Sequence, residues 1–315
     1  MDKIKFQFTN LLFTFTSLVA IFLASMTAAA IEGLPAQPTD PAHPGSAIAP
    51  YEVERADFVL DGRSVEVFLP KSATGPQKYP LIVFGHGQAL GVEHYRRTLE
   101  HLARKGVVAI HPQFDTGFFD RNWRRMADDY NRLTAEALSR YANFIAADQI
   151  VYSGHSKGAY VALVAAGAPS RSANPPKALI LFEPAGYDAE YIQQMDVKTP
   201  VTLTWADGDT ITPATLIHEI YEKLPTQYKQ LIQVSSYAAT EPELVADHFF
   251  MLTKSSVVGG RTGVSPFHYF GGWKWLLGSA WDLQSGGGLT NAYVYGAETD
   301  STGISILKHH VLKSW

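Results

Sequence analysis

From about residue 51 onwards, short apolar runs alternate with segments of helical spacing. The runs "LIVFG", "VVAIHP", "QIVYSG", "ALILF", "VTLTWA" and "KQLIQV" are rich in Val, Ile and Leu and end in glycine, proline or polar residues. Such continuous apolar runs suit strands that are buried on both faces. Ahead of them, "ADFVLDG" and "RSVEVFLP" alternate more strictly around Asp61-Gly62, as a two-strand hairpin does. "YRRTLEHLARKG", residues 121–144, "SKGAYVALVAAG", "ATLIHEIYEKL" and "GGWKWLLGSAWDL" have helical spacing, and the first stops at Gly106. Strands alternating with helices predict an α/β fold with a mostly parallel central sheet and helices on both faces. No internal repeat is visible, and one domain over residues 51–315 accounts for the pattern.

The N-terminal end reads differently. Lys3 and Lys5 precede the apolar run "LLFTFTSLVAIFLAS", which is followed by "MTAAA" with Ala28-Ala29-Ala30. A basic start, an apolar middle and small residues are the parts of a secretory signal, with cleavage expected near Ala30. An uncleaved anchor is the alternative, because the run approaches the ~20 residues of a membrane span. If the signal is removed, no stable membrane contact is expected and the protein is secreted or periplasmic. Residues 31–50 hold five prolines and read as a linker or an N-terminal strap.

Composition narrows the chemistry. A net charge of -4 without a long basic run makes nucleic acid an unexpected partner. The chain has no cysteine, which rules out a thiol nucleophile, a thiolate metal site and disulfides. No His-Glu-x-x-His spacing appears and no G-x-G-x-x-G follows the first strand, so neither a metal nor a dinucleotide cofactor is expected.

The informative stretch is "VYSGHSKGAYVALVAAG". Its G-x-S-x-G core, Gly154 to Gly158, lies between a predicted strand and a predicted helix. There the glycines admit a tight, strained turn that lifts Ser156 above the sheet, and the following helix aims its positive end at the same point. A serine hydroxyl needs a base to take its proton, and in this architecture the chain order is Ser, acid, His. Asp209, in "WADGDTITP", is favoured as the acid because it is the last acidic residue before the helix-initiating Pro213. Asp207 suits the turn, while Glu183 and Asp188 read more simply as loop and capping residues. His248, in "ELVADHFFML", follows the last strand candidate and a polar loop, where a base belongs. His218 falls in a helix, His268 among aromatic residues, and His309 and His310 near the end. Two backbone N–H groups should face the oxyanion: Lys157, after the nucleophile, and Gln88, after "LIVFGHG", with His86 bracing that loop. Phe114, Phe118, Phe119 and Trp123 either line a pocket or pack. Arg121, Arg124 and Arg125 read as a solvated helix face.

With these residues placed, the chain resembles the α/β-hydrolase family over most of residues 51–315. The resemblance rests on His86-Gly87, "GHSKG", "WADGDTITP" and the late "ADHFF". The approach "VEVFLPKSATGPQKYPLIVFGHG" is most similar to the chlorophyllase-like, dienelactone-hydrolase-like and polyester-hydrolase-like branches. The resemblance implies hydrolysis of a carboxylic ester, small or polymeric, through an acyl-enzyme. A lipase, a polyester hydrolase, a peptidase and a non-catalytic binding protein on the same fold stay open as alternatives. Two features depart from the pattern. Gly158-Ala159 stands where many relatives carry Gly-Gly, and the region after His248 is long, so it either covers the site or closes the sheet. The short segment between "LILFEP" and "TPVTLTW" predicts an open cleft without a large lid.

Overall fold

The computed structural model describes residues 36–71, 77–115, 117, 119–167, 173–236, 244–257, 259–286 and 309–313. The signal segment, Phe118 and residues 287–289 of the Gly-rich stretch 284–289 lie outside them. Strands β1 (Glu52–Leu60) and β2 (Arg63–Lys71) form the expected hairpin. Asp61 and Gly62 both take positive φ, 49° and 76°, as a tight two-residue turn requires. Then follow β3 (Tyr79–Gly85), α1 (Arg96–Arg104), β4 (Val108–Pro112), α2 (Trp123–Arg140), β5 (Ile145–His155) and α3 (Lys157–Ala166). The second half holds β6 (Ala178–Phe182), α4 (Ala189–Gln193), β7 (Val201–Ala206), α5 (Ala214–Lys223), β8 (Lys229–Val234), α6 (Trp273–Gln284) and β9 (His309–Lys313).

The nine strands form one sheet in the order β1-β2-β4-β3-β5-β6-β7-β8-β9. From β4 to β8 all neighbours are parallel, and β1, β2 and β9 add antiparallel edges. Period-two alternation sorts the strand residues onto two faces. Leu81 and Val83 of β3 pack with α2, α3 and α5, while Ile82 and Phe84 pack with α1 and α6. Helices on both faces explain why the central strands are apolar throughout. The parallel order puts the carboxyl ends of β3, β5, β6, β7 and β8 along one rim of the sheet, the place where such folds bind ligands.

Residues 36–50 lie along α1. The ammonium of Lys105 donates to the carbonyls of Pro41, His43 and Ile48 at 3.1, 3.2 and 2.7 Å, and His101 Nε2 donates to Pro44 O at 2.8 Å. Strand β9 is not foreseen from the sequence. Its segment has little pattern of its own and takes its extended form by pairing with β8. Among the described residues no helix is long and apolar enough to cross a membrane.

Candidate active site

The turn between β5 and α3 holds Ser156 at φ 56° and ψ −123°, a strained conformation for a residue with a side chain. The flanking glycines are required by close approach. A Cβ on Gly158 would lie 2.3 Å from the backbone of Gly85, and one on Gly154 would lie 2.6 Å from that of Gly158. Helix α3 can therefore start directly against β3 and β5. The carbonyl of Ser156 accepts from the amides of Ala159, Tyr160 and Ala185 at 3.1, 3.2 and 3.1 Å, and its own amide donates to Phe182 O at 2.9 Å. These bonds fix the turn from both sides.

Above the turn, Ser156 Oγ lies 2.9 Å from His248 Nε2. His248 Nδ1 lies 2.8 Å from Asp209 Oδ2. The carboxylate can only accept, so Nδ1 carries the proton and Nε2 is left as the base facing the hydroxyl. Asp209 Oδ1 accepts from the amides of Ile211 and Thr212 at 2.7 and 2.8 Å. Burial pushes the pKa of Asp209 up, but the hydrogen bonds and charge of His248, the Thr212 amide and Glu183 outweigh it, and the carboxyl stays below its usual range. Asp207 serves the neighbouring turn by accepting from Ser236, and Asp188 caps α4 through the Glu190 amide. His218 is half-buried on α5, and His268 packs against Trp273 with Nδ1 at Ser265. His309 and His310 form part of β9.

His155 shows a role that the sequence does not. Its Nε2 donates to the backbone carbonyl of His248 at 2.6 Å, so Nδ1 must be an acceptor, and the hydroxyl of Tyr95 donates to it at 2.8 Å. The Tyr95 oxygen in turn accepts from the Gly87 amide at 3.0 Å. One buried chain of bonds thus joins the loop after β3, the start of α1, the serine turn and the histidine loop. Burial, together with the adjacent His248, pushes the pKa of His155 down to about 3, so this chain keeps its neutral form.

Sequence reading also misses the side chain of Lys157. It is fully buried and its Nζ pairs with Asp115 Oδ2 at 2.7 Å, tying the loop after β4 to the start of α3. The backbone N–H of Lys157, as the first of α3, has no intrahelical acceptor. His86 is buried and stacks on Phe114 with ring centres 4.3 Å apart, and its Nδ1 donates to Gly87 O at 2.9 Å, which braces the loop before Gln88. Ala89 follows at φ 58°, so this loop too is held in a strained form.

A cleft of about 480 Å³ opens over Ser156 and His248. Gln88 and Lys157 line it on one side, with Leu90, Ile211, Leu216, Phe249 and Val257 as its apolar surface. Of the aromatic candidates, Phe114 packs on His86 and Trp123 packs edge-on against Tyr160, while Phe119 is exposed. The apolar wall instead comes from the loops after β3, β7 and β8 and from α5, whose approach to the site depends on tertiary structure. Arg125 pairs with Asp120 and Asp129, and Arg124 is exposed, but Arg121 reaches the cleft and lies 6.0 Å over the Trp123 ring. In the long region after His248, the described residues edge the cleft and pack on the sheet without closing over the site. Ser256 and Val257 reach the cleft, and α6 covers one face of the sheet. Glu183, Asp209 and His248 bring their ligand atoms within 4.8 Å of one another. Each already has a hydrogen-bond partner in the protein, so no ion is needed to account for the cluster.

A mostly parallel sheet with a strained serine turn at its rim defines an α/β-hydrolase fold. The model of the chlorophyllase family matches residues 47–206, from just before β1 to the end of β7, which is just over half of the chain. The chain therefore belongs to the chlorophyllase family, within the ester-hydrolysing α/β-hydrolases. The matched segment contains Ser156, while Asp209 and His248 lie beyond it. No curated protein matches the chain.

Proposed function

We propose that this protein is an exported serine esterase that works through an acyl-enzyme on Ser156. The observation that carries the reading is the unbroken chain from Ser156 Oγ through His248 to Asp209, at 2.9 and 2.8 Å, on a strained turn in an open cleft. In this mechanism His248 takes the proton of Ser156 as the hydroxyl attacks the ester carbonyl carbon. Asp209 keeps the imidazole in the tautomer that leaves Nε2 basic and stabilises the imidazolium. The N–H groups of Gln88 and Lys157 hold the oxyanion. His248 then protonates the leaving alcohol. A water, activated by the same histidine, releases the acid and restores Ser156.

The apolar cleft surface supports an ester with an apolar acyl or alcohol part. The cleft is open to solvent at Ile211 and Val257, 52% and 105% exposed, so a polymer-borne ester also has access. Export rests on the basic and apolar segment of residues 1–30, and a mature N-terminus near residue 31 in the secreted fraction is its test.

The purified protein should hydrolyse p-nitrophenyl esters, and Ser156→Ala should remove at least about 10³-fold of kcat, since the oxyanion donors alone retain a residual rate. Activity unchanged in Ser156→Ala would reduce the serine turn to a structural feature. Inactivity of the folded wild type on short, medium and long acyl chains would favour a binding protein.

A further inference from the structure

Glu183 immediately follows β6 and is fully buried. Its backbone takes φ 49°, a strained value that surrounding structure must enforce. Its Oε1 accepts from the hydroxyl of Thr204 and its Oε2 from the amide of Ala206, each at 3.1 Å. Both donors sit on β7, the strand that delivers Asp209. A carboxyl oxygen of Glu183 lies within 4.8 Å of one of Asp209, and a ring nitrogen of His248 lies within the same distance of both.

Two carboxyl groups this close, with both side chains out of contact with solvent, repel as a pair of anions and favour keeping a proton on one of them. The donors decide which. Asp209 receives two amides and the Nδ1–H of His248. Glu183 receives one amide and one hydroxyl in full burial. Asp209 is therefore the better anion, and the proton belongs on Glu183. Burial, followed by the neighbouring Asp209, pushes the Glu183 carboxyl well above its ordinary range, which agrees with that choice.

We propose that Glu183 is a positioning residue that carries a proton at neutral pH and donates it to Asp209, holding that carboxylate in the orientation that meets His248. It touches neither substrate nor nucleophile and acts only through Asp209. This goes beyond reading Glu183 as a loop residue and rests on the triad proposed above.

The test compares Glu183→Gln, Glu183→Ala and Asp209→Asn in ester hydrolysis, together with infrared spectra of the full chain at neutral pH. Gln keeps the shape and an N–H donor toward Asp209, so Glu183→Gln should retain kcat within about threefold. Glu183→Ala should lose about ten- to a hundredfold in kcat with KM nearly unchanged, as outer partners of a site residue do. In the Asp209→Asn background the same Ala change should cost almost nothing further, because the two act as a unit. The wild type should show a protonated-carboxyl C=O band that is missing in Glu183→Gln. If Glu183→Ala does not fold, the Gln variant and the infrared band still decide. Loss of activity in Glu183→Gln as deep as in Asp209→Asn would overturn the proposal, because the charge of Glu183 would then matter. An active wild type without the band would also overturn it. A folded wild type that shows the band but cleaves no ester would instead overturn the triad.

Discussion

Ser156, His248 and Asp209 come from three separate turns at one rim of the sheet, and each was placed by a different sequence signal. Ser156 is marked by glycines that the turn cannot do without, and Asp209 by the short path to Pro213. His248 is marked by order and by its polar loop. Replacing Asp209 with Asn should leave the fold intact and lower kcat by roughly 10⁴-fold, because the amide favours the wrong imidazole tautomer. Steady-state kinetics beside a thermal melt would check this. Glu183, Tyr95 and His155 were not legible in the same way. These partners lie on other elements of the chain, from 21 residues between Glu183 and Thr204 to 93 between His155 and His248, and nothing in the local pattern announces them.

At the scale of elements, loops position the chemistry and buried side chains position the loops. The ion pair of Lys157 and Asp115 is an example, with side chains only 1% and 6% exposed. In the sequence Lys157 reads as one more polar residue at a helix start. Asp115→Ala would leave its ammonium buried without its charge partner. Such a change should cost about 3–5 kcal/mol of stability, measured by denaturant unfolding. A loss below about 1 kcal/mol would mean that water reaches the lysine and screens it. The strands of the parallel core were legible because burial on both faces leaves continuous apolar runs. Strand β9 was not, because an edge strand is specified by its neighbour more than by its own residues. For the aromatic candidates the sequence left lining and packing open, and the structure decides for packing at two of them. Trp123 and Phe114 follow a strand end, yet they are spent on packing against Tyr160 and His86.

Over the whole molecule, the two-sided core dictates how the protein responds to acid. His101, His155 and His268 are buried, and burial pushes their pKa values from 6.5 to about 3, 3 and 4. Each stays neutral when folded and takes up a proton below pH 6.5 once unfolded. The unfolded chain then binds more protons, so stability is complete above pH 6.5 and falls as the pH drops toward those lower values. With three such groups the slope should approach about 4 kcal/mol per pH unit near pH 5. Thermal melts from pH 8 down to pH 5 should show a fall in Tm that begins near pH 6.5. A flat profile to pH 5 would mean that these histidines are reached by solvent. In the folded protein His155 takes up its proton only near pH 3, where the bond from Tyr95 would break and the histidine loop should loosen.

The central claim is that Ser156 is the nucleophile, and covalent capture tests it most directly. The purified protein, incubated with a p-nitrophenyl phosphonate, should gain one adduct by intact mass. Peptide mapping should place it on Ser156, and the adduct should be missing in Ser156→Ala and much slower to form in His248→Ala. No adduct on an active enzyme, or an adduct on another residue that persists in Ser156→Ala, would contradict the account.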